Sequence, residues 1–209
     1  MLKSLIGATI IIGLIGGIYA TSRRRTTPVG AVAGVGTHPA GVQAGAPFFQ
    51  PRNVGGHDVI AFSAGCFWGA EQSYRKLPGV VATAVGYTGG TSTFPSYEVA
   101  HQTGHLETVL VEFDPQRTSL GSLMKVFWTL PRTRNAESTM KTGHLKPATI
   151  WTYNSADRAL VERSRREMEG SLKYKLAVNV LPARPFYLAE AYHQQYNERS
   201  GMDLCPALP

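Results

Sequence analysis

Chemistry in this chain turns first on Cys66. It follows Ala64-Gly65 at the end of an apolar, β-rich run and opens a helical stretch, Cys66–Lys76. A cysteine at such a junction meets free backbone N–H groups and the positive end of a helix, and both favour its thiolate. The plain alternative is a buried small hydrophobe. Gly65 and Gly69 flank the residue and leave room for a ligand to approach the sulfur, which favours the nucleophile. Phe67 and Trp68, adjacent on the helix, point to different faces, so at least one is expected to line a pocket. Two cysteines are too few for a disulfide scaffold. Six scattered histidines show no zinc spacing, and His101-x-x-x-His105 lacks a third ligand, so no metal is expected. The Gly-x-Gly at 34–36 is no dinucleotide fingerprint, because Pro39 takes the third glycine position and no strand precedes it.

Alternating elements are predicted to position these residues. Asp58–Ser63 reads as a buried strand, Val80–Tyr87 as a second and His105–Phe113, which alternates, as a third. Ser119–Leu130 carries apolar residues at 120, 123, 124, 127 and 128 and is predicted to be an amphipathic helix. Thr149–Tyr153 and Leu176–Leu181 read as strands. Ser155–Lys173 reads as a charged surface helix with a serine N-cap, and Ala189–Arg199 as a short helix. The expected class is α/β: an α+β two-layer sandwich, a mixed sheet with flanking helices, in a single domain after an N-terminal leader.

The net charge of +7 is unevenly spread. Residues 1–56 hold Lys3, Arg23, Arg24, Arg25 and Arg52 and no acidic side chain, leaving 16 basic and 14 acidic ones after them. That near balance gives nucleic-acid binding little support. Residues 1–25 form an apolar leader whose uncharged run, residues 4–20, would span roughly 25 Å as a helix, at the short edge of a bilayer span. With Arg23-Arg24-Arg25 behind it and one lysine ahead, a single-pass anchor with the body on the cytoplasmic side is expected; a secretory signal or a mitochondrial segment are the alternatives. Residues 26–56, rich in Gly, Ala, Pro and Val without periodicity, read as a flexible linker.

Gly65-Cys66-Phe67-Trp68-Gly69-x-Glu71 resembles the signature of the peptide methionine sulfoxide reductase A family. The resemblance continues through Val85-Gly86-Tyr87-Thr88-Gly89-Gly90, Pro95-Ser96-Tyr97-Glu98-Val99, Thr103-Gly104-His105-x-Glu107 and Glu112-Phe113-Asp114-Pro115. It resumes at Phe186-Tyr187-x-Ala189-Glu190-x-Tyr192-His193-Gln194-Gln195-Tyr196 and makes residues 57–209 a domain of that kind.

The resemblance implies that Cys66 attacks the sulfur of methionine S-sulfoxide, free or in an oxidised protein, releasing methionine and leaving a sulfenic acid. It implies that Phe67 and Trp68 hold the substrate methyl group, that Glu107 protonates the sulfoxide oxygen with a raised pKa, and that Tyr97 donates to the same oxygen. Taken alone, Glu107 would be a solvated strand residue and Tyr97 a surface tyrosine. Glu71, in the first helical turns, suits a structural role. Cys205 matches the family's first recycling cysteine, implying a Cys66–Cys205 disulfide reduced by thioredoxin, or by dithiothreitol in its place, with no bound cofactor and a monomeric enzyme. The match lapses between Trp128 and Thr149. Aligned on Gly143, Lys141 falls where the family has an acidic residue and Lys146 where it has a tyrosine. Two alternatives follow: an impaired relative that binds without turnover, and a thiol redox sensor.

Overall fold

The computed structural model describes residues 35–49, 56–134 and 147–201. Residues 4–20, Lys141, Lys146 and Cys205 lie outside the described residues, so the expectations placed on them are not addressed by the fold.

Six strands build one mixed sheet. In chain order the elements are β1 (Asp58–Ser63), α1 (Phe67–Arg75), β2 (Val80–Thr88), α2 (Tyr97–Ala100), β3 (Leu106–Phe113), α3 (Leu120–Thr129) and α4 (Pro131–Arg134). They continue with β4 (Ala148–Thr152), α5 (Ser155–Leu172), β5 (Val178–Pro182), β6 (Phe186–Leu188) and α6 (Tyr196–Ser200). The strand order is β5-β4-β1-β3-β2-β6, antiparallel throughout except for the parallel β4–β5 pair. This is the mixed α+β sheet with flanking helices that the sequence implied.

Period-2 alternation sorts each strand's side chains between two covered faces. Ile60, Phe62, Val85, Val109, Val111 and Ile150 turn to one face, where Phe67 and Tyr74 of α1, Leu123 and Phe127 of α3 and Val161 of α5 close over them. The opposite face presents Val59, Ala61, Ala84, Leu110 and Trp151. Both faces are dry, which is why β1 reads as a continuous apolar run.

What covers the second face corrects the sequence reading. Residues 35–49, taken as part of a flexible linker over 26–56, form a strap against the sheet. The Gly36 N–H donates to the Val81 carbonyl (2.6 Å), and Phe48 exchanges two backbone hydrogen bonds with Phe186 at the outer edge of β6 (2.8 and 2.9 Å). Phe48 is buried within the second cluster. Glu112 holds the middle of the strap: one carboxylate oxygen accepts the Ala40 N–H (3.0 Å), while the other lies 2.9 Å from Nδ1 of His57, just ahead of β1. The strap pairs at isolated points rather than along a ladder, so it needs no hydrophobic period and its sequence shows none.

Three local predictions also change. α5 is capped by Asn154, not Ser155: the Asn154 side chain accepts the Asp157 N–H at 2.8 Å. The helix expected over Ala189–Arg199 shrinks to α6, because Gln195 takes a left-handed conformation (φ 49°) that starts the helix only at Tyr196. Phe186–Leu188, just before it, pairs with β2 as β6. Gly86 permits that pairing, since a Cβ there would collide with the Tyr187 carbonyl.

A buried polar cluster ties strap, α1 and α6 together. Arg75 donates to Glu198 (2.7 Å), to the carbonyls of Gly36 (2.7 Å) and Val35 (3.3 Å) and to Thr83 (3.1 Å). Glu71 accepts from Thr83 and twice from Gln195. Burial pushes its carboxyl up, against the pull of those donors and of Arg75. The structural role expected for Glu71 is therefore what its contacts provide.

Candidate active site

The turn from β1 to α1 is tight because Gly65 takes φ 91°, a left-handed conformation that a side chain would strain. It delivers Cys66 to the N-cap position of α1, with φ −51° and ψ 120° and no side-chain capping bond. A helix begins with free N–H groups and a positive dipole end, so the sulfur of Cys66 stands where negative charge is favoured. Cys66 is disulfide-bonded in this structure.

Glu107 opens β3 opposite Tyr87 in the register with β2. One of its oxygens accepts the Phe67 N–H at 3.1 Å, the first donor after Cys66. The other lies 3.2 Å from Nε2 of His101, the residue that ends α2. Glu107 is thus a partly shielded carboxyl, 14% exposed, beside the cysteine rather than a solvated strand residue. Tyr97 lies at the start of α2, 39% exposed, with its ring 4.8 Å from that of His193. Burial, together with the charge of Glu107, holds the Tyr97 hydroxyl above its ordinary pKa, so it remains a donor at neutral pH.

Phe67 is buried against Tyr87 (6.1 Å between ring centroids) and His193 (5.1 Å). Trp68 is half-buried. Its ring stacks on Tyr196 at 3.9 Å, and its indole N–H donates to His193 Nδ1 at 3.1 Å. Phe67, Trp68 and Tyr97 share His193 as a common ring neighbour. The structure therefore brings Cys66, Phe67, Trp68, Tyr97 and Glu107 to one end of the sheet.

Four further residues belong to this end. Glu190 accepts the Tyr97 backbone N–H (3.0 Å) and the Tyr87 hydroxyl (2.8 Å), so it fixes the loop that carries Tyr97. Burial works to raise its carboxyl, but its own N–H, Tyr97 and Tyr87 outweigh this and hold it low. His193 accepts from Trp68 at Nδ1, which assigns its proton to Nε2. That atom is buried without a hydrogen-bond partner and lies 3.8 Å from Glu190. Burial lowers the His193 pKa despite the nearby Glu190 and Glu98. Tyr87, Glu190, His193 and Tyr196 were visible only as letters inside the matched runs; no spacing rule marks them. His101 had been weighed solely as half of a metal pair, and among the described residues no group of three metal-ligating side chains exists.

Comparison with known proteins agrees with this constellation. The sequence pattern of the family described as "Peptide methionine sulfoxide reductase" matches residues 58–208. The chain is 41% identical over 152 residues to the peptide methionine sulfoxide reductase MsrA of Methanosarcina acetivorans, covering 70% of this chain and 80% of the relative. It is 36% identical over 190 residues to that of Azotobacter vinelandii, covering 88% and 84%. Its fold resembles that of methionine sulfoxide reductase A of Corynebacterium diphtheriae, with a TM-score of 0.59, 28% identity and coverage of 75% and 81%. At 23% identity, the reduced form of Mxr1 from Saccharomyces cerevisiae shares the fold, with a TM-score of 0.62 over 77% of this chain and 93% of that one. The chain belongs to the peptide methionine sulfoxide reductase family, and its activity is the reduction of methionine sulfoxide.

Proposed function

We propose that this enzyme reduces methionine S-sulfoxide, peptide-bound or free, with Cys66 as nucleophile and Glu107 as general acid. The observation that carries the reading is that Glu107, from β3, accepts the Phe67 N–H, which brings a carboxyl to the residue next to the nucleophilic cysteine at the start of α1. The Cys66 thiolate attacks the sulfoxide sulfur. Glu107 gives its proton to the sulfoxide oxygen while the Tyr97 hydroxyl donates a hydrogen bond to it. The sulfur–oxygen bond of the substrate breaks, methionine leaves with two more electrons, and Cys66 carries the oxygen as a sulfenic acid. Phe67 and Trp68 offer the apolar wall that a methyl group needs.

The thiolate of Cys205 then attacks the Cys66 sulfur. A disulfide forms, and the oxygen leaves as water. What supports this step is that Cys66 is disulfide-bonded; its pairing with Cys205 is what the resemblance implies. A thioredoxin-like dithiol returns both to thiols. We assign residues 4–20 the role of a single-pass anchor that holds this chemistry at a cytoplasmic membrane face.

The test is turnover of methionine S-sulfoxide with dithiothreitol as reductant. Wild type is expected to turn over, Cys66→Ser to lose all activity, and Glu107→Gln to lose about 10²–10⁴-fold in the chemical step. With no reductant present, Cys205→Ser is expected to release one equivalent of methionine and stop at the sulfenic acid. A wild-type protein that is inert to the sulfoxide but forms a disulfide with peroxide overturns the reading.

A further inference from the structure

His101 is a titratable side chain in contact with Glu107 that the reaction above does not use. It ends α2 with its ring 61% exposed, and its Nε2 atom reaches inward to 3.2 Å from the carboxylate of Glu107, which is 14% exposed. One side of the imidazole meets water and the other meets the general acid. In the reaction proposed above, Glu107 gives up its proton to the sulfoxide oxygen and must recover one before the next turnover.

The other titratable groups around His101 are already committed. Tyr97, on the same short helix, meets the imidazole edge-on at 6.4 Å between ring centroids. Glu98 is turned to the Ser96 hydroxyl. Across the rim, Glu190 holds the Tyr97 N–H and the Tyr87 hydroxyl, and His193 accepts from Trp68. Tyr192 packs on His193 (4.1 Å between centroids). Among the described residues, His101 is a solvent-exposed side chain that pairs directly with the Glu107 carboxylate. An imidazole is suited to the task because its charge changes near neutral pH and its two nitrogens can take a proton on one side and release it on the other.

We propose that His101 is a positioning residue acting through Glu107: it orients the carboxyl toward the sulfoxide oxygen and returns to it, from solvent, the proton spent in each turnover. The step moves one proton from water to imidazole and from imidazole to carboxylate; no electrons change hands. The proposal rests on Glu107 being the general acid of methionine sulfoxide reduction.

The experiment compares the reduced full chain with its His101→Ala and His101→Gln variants in the rate of sulfoxide reduction from pH 5.5 to 8.5. The ratio of variant to wild-type rate cancels the titration of Cys66, which all three share. For His101→Ala the deficit is expected to grow with pH, as free acids become scarce, to about 10²-fold at pH 8.5, the low end for a lost proton-transfer group. Added imidazole restores the rate, because the site is open to water, whereas His101→Gln, which can donate a hydrogen bond but not relay, stays slow. A deficit equal at every pH, a full rate in His101→Gln, or no deficit overturns the proposal. Should wild type not reduce the sulfoxide at all, the functional reading fails and nitrogen NMR of the His101 ring decides the pairing. An Nε2–H tautomer that Glu107→Gln abolishes supports it, and a ring unchanged by Glu107→Gln removes it.

Discussion

Cys66 stands where β1 ends and α1 begins, and that placement was legible in the sequence. A glycine before the cysteine and a helical run after it were enough to predict a cysteine at a helix start. Glu107 was not legible in the same way. Its strand alternates as any half-buried strand does, and only pairing with β2 and the reach to the Phe67 N–H place its carboxyl beside the cysteine. His193 was less legible still, because its function is to be buried with one nitrogen on Trp68 and the other unpartnered. That arrangement has a measurable consequence. Burial lowers the His193 pKa below its ordinary value near 6.5. Between the folded and unfolded values the unfolded chain binds the extra proton, so this contribution to stability is complete above the unfolded value and is lost as pH falls through the folded one. The urea midpoint of wild type is expected to drop from pH 7.5 to 5.5 by more than that of His193→Gln, whose amide oxygen can still accept from Trp68. Equal drops in the two proteins would count against a neutral buried imidazole.

At the scale of elements, the strands and the three long helices follow from period and capping, and they appear within a few residues of where the pattern puts them. The strap did not follow. Its anchors are one aromatic side chain and a few backbone bonds spread over residues 35–49, and no local rule distinguishes that from a spacer. The failure at residues 186–199 has the same origin: a three-residue strand and a left-handed Gln195 are imposed by pairing with β2 and by the Glu71 carboxylate, which accepts the Gln195 N–H. Phe48 tests the strap as a structural element. It is 6% exposed in the cluster of Val59, Ala61, Leu110 and Trp151, so Phe48→Ala removes a ring from a face that no helix can refill. The expected cost is about 3–4 kcal/mol of unfolding free energy. It is read as a lower denaturant midpoint at unchanged m-value, with activity per folded molecule retained because the ring is not among the active-site aromatics. A loss under 1 kcal/mol would mean that the strap merely rests on the sheet.

For the whole molecule, the strap changes what the basic leader can do. If the chain is bound to the body from residue 35 and the anchor ends at residue 20, only 14 residues lie between them. Fully extended, they reach at most about 50 Å, roughly the diameter of the domain itself. The active site would then work on oxidised methionines close to the bilayer rather than throughout the surrounding volume. Two truncations separate the leader's role from the strap's. Removing residues 1–34 takes away the apolar run and Arg23, Arg24 and Arg25 while leaving Val35, Gly36, Ala40 and Phe48 in place. The product is expected to be soluble, with wild-type stability and turnover of free methionine sulfoxide. Removing residues 1–50 strips the Arg75 and Glu112 partners and the Phe48 plug together. The melting temperature is then expected to fall by about 10 °C, taking 2–4 °C per kcal/mol for a domain of this size. The full chain should pellet with membranes and resist carbonate extraction. If it stays in the supernatant, residues 4–20 are not an anchor, and the reach argument falls with them while the strap's contribution to stability stands.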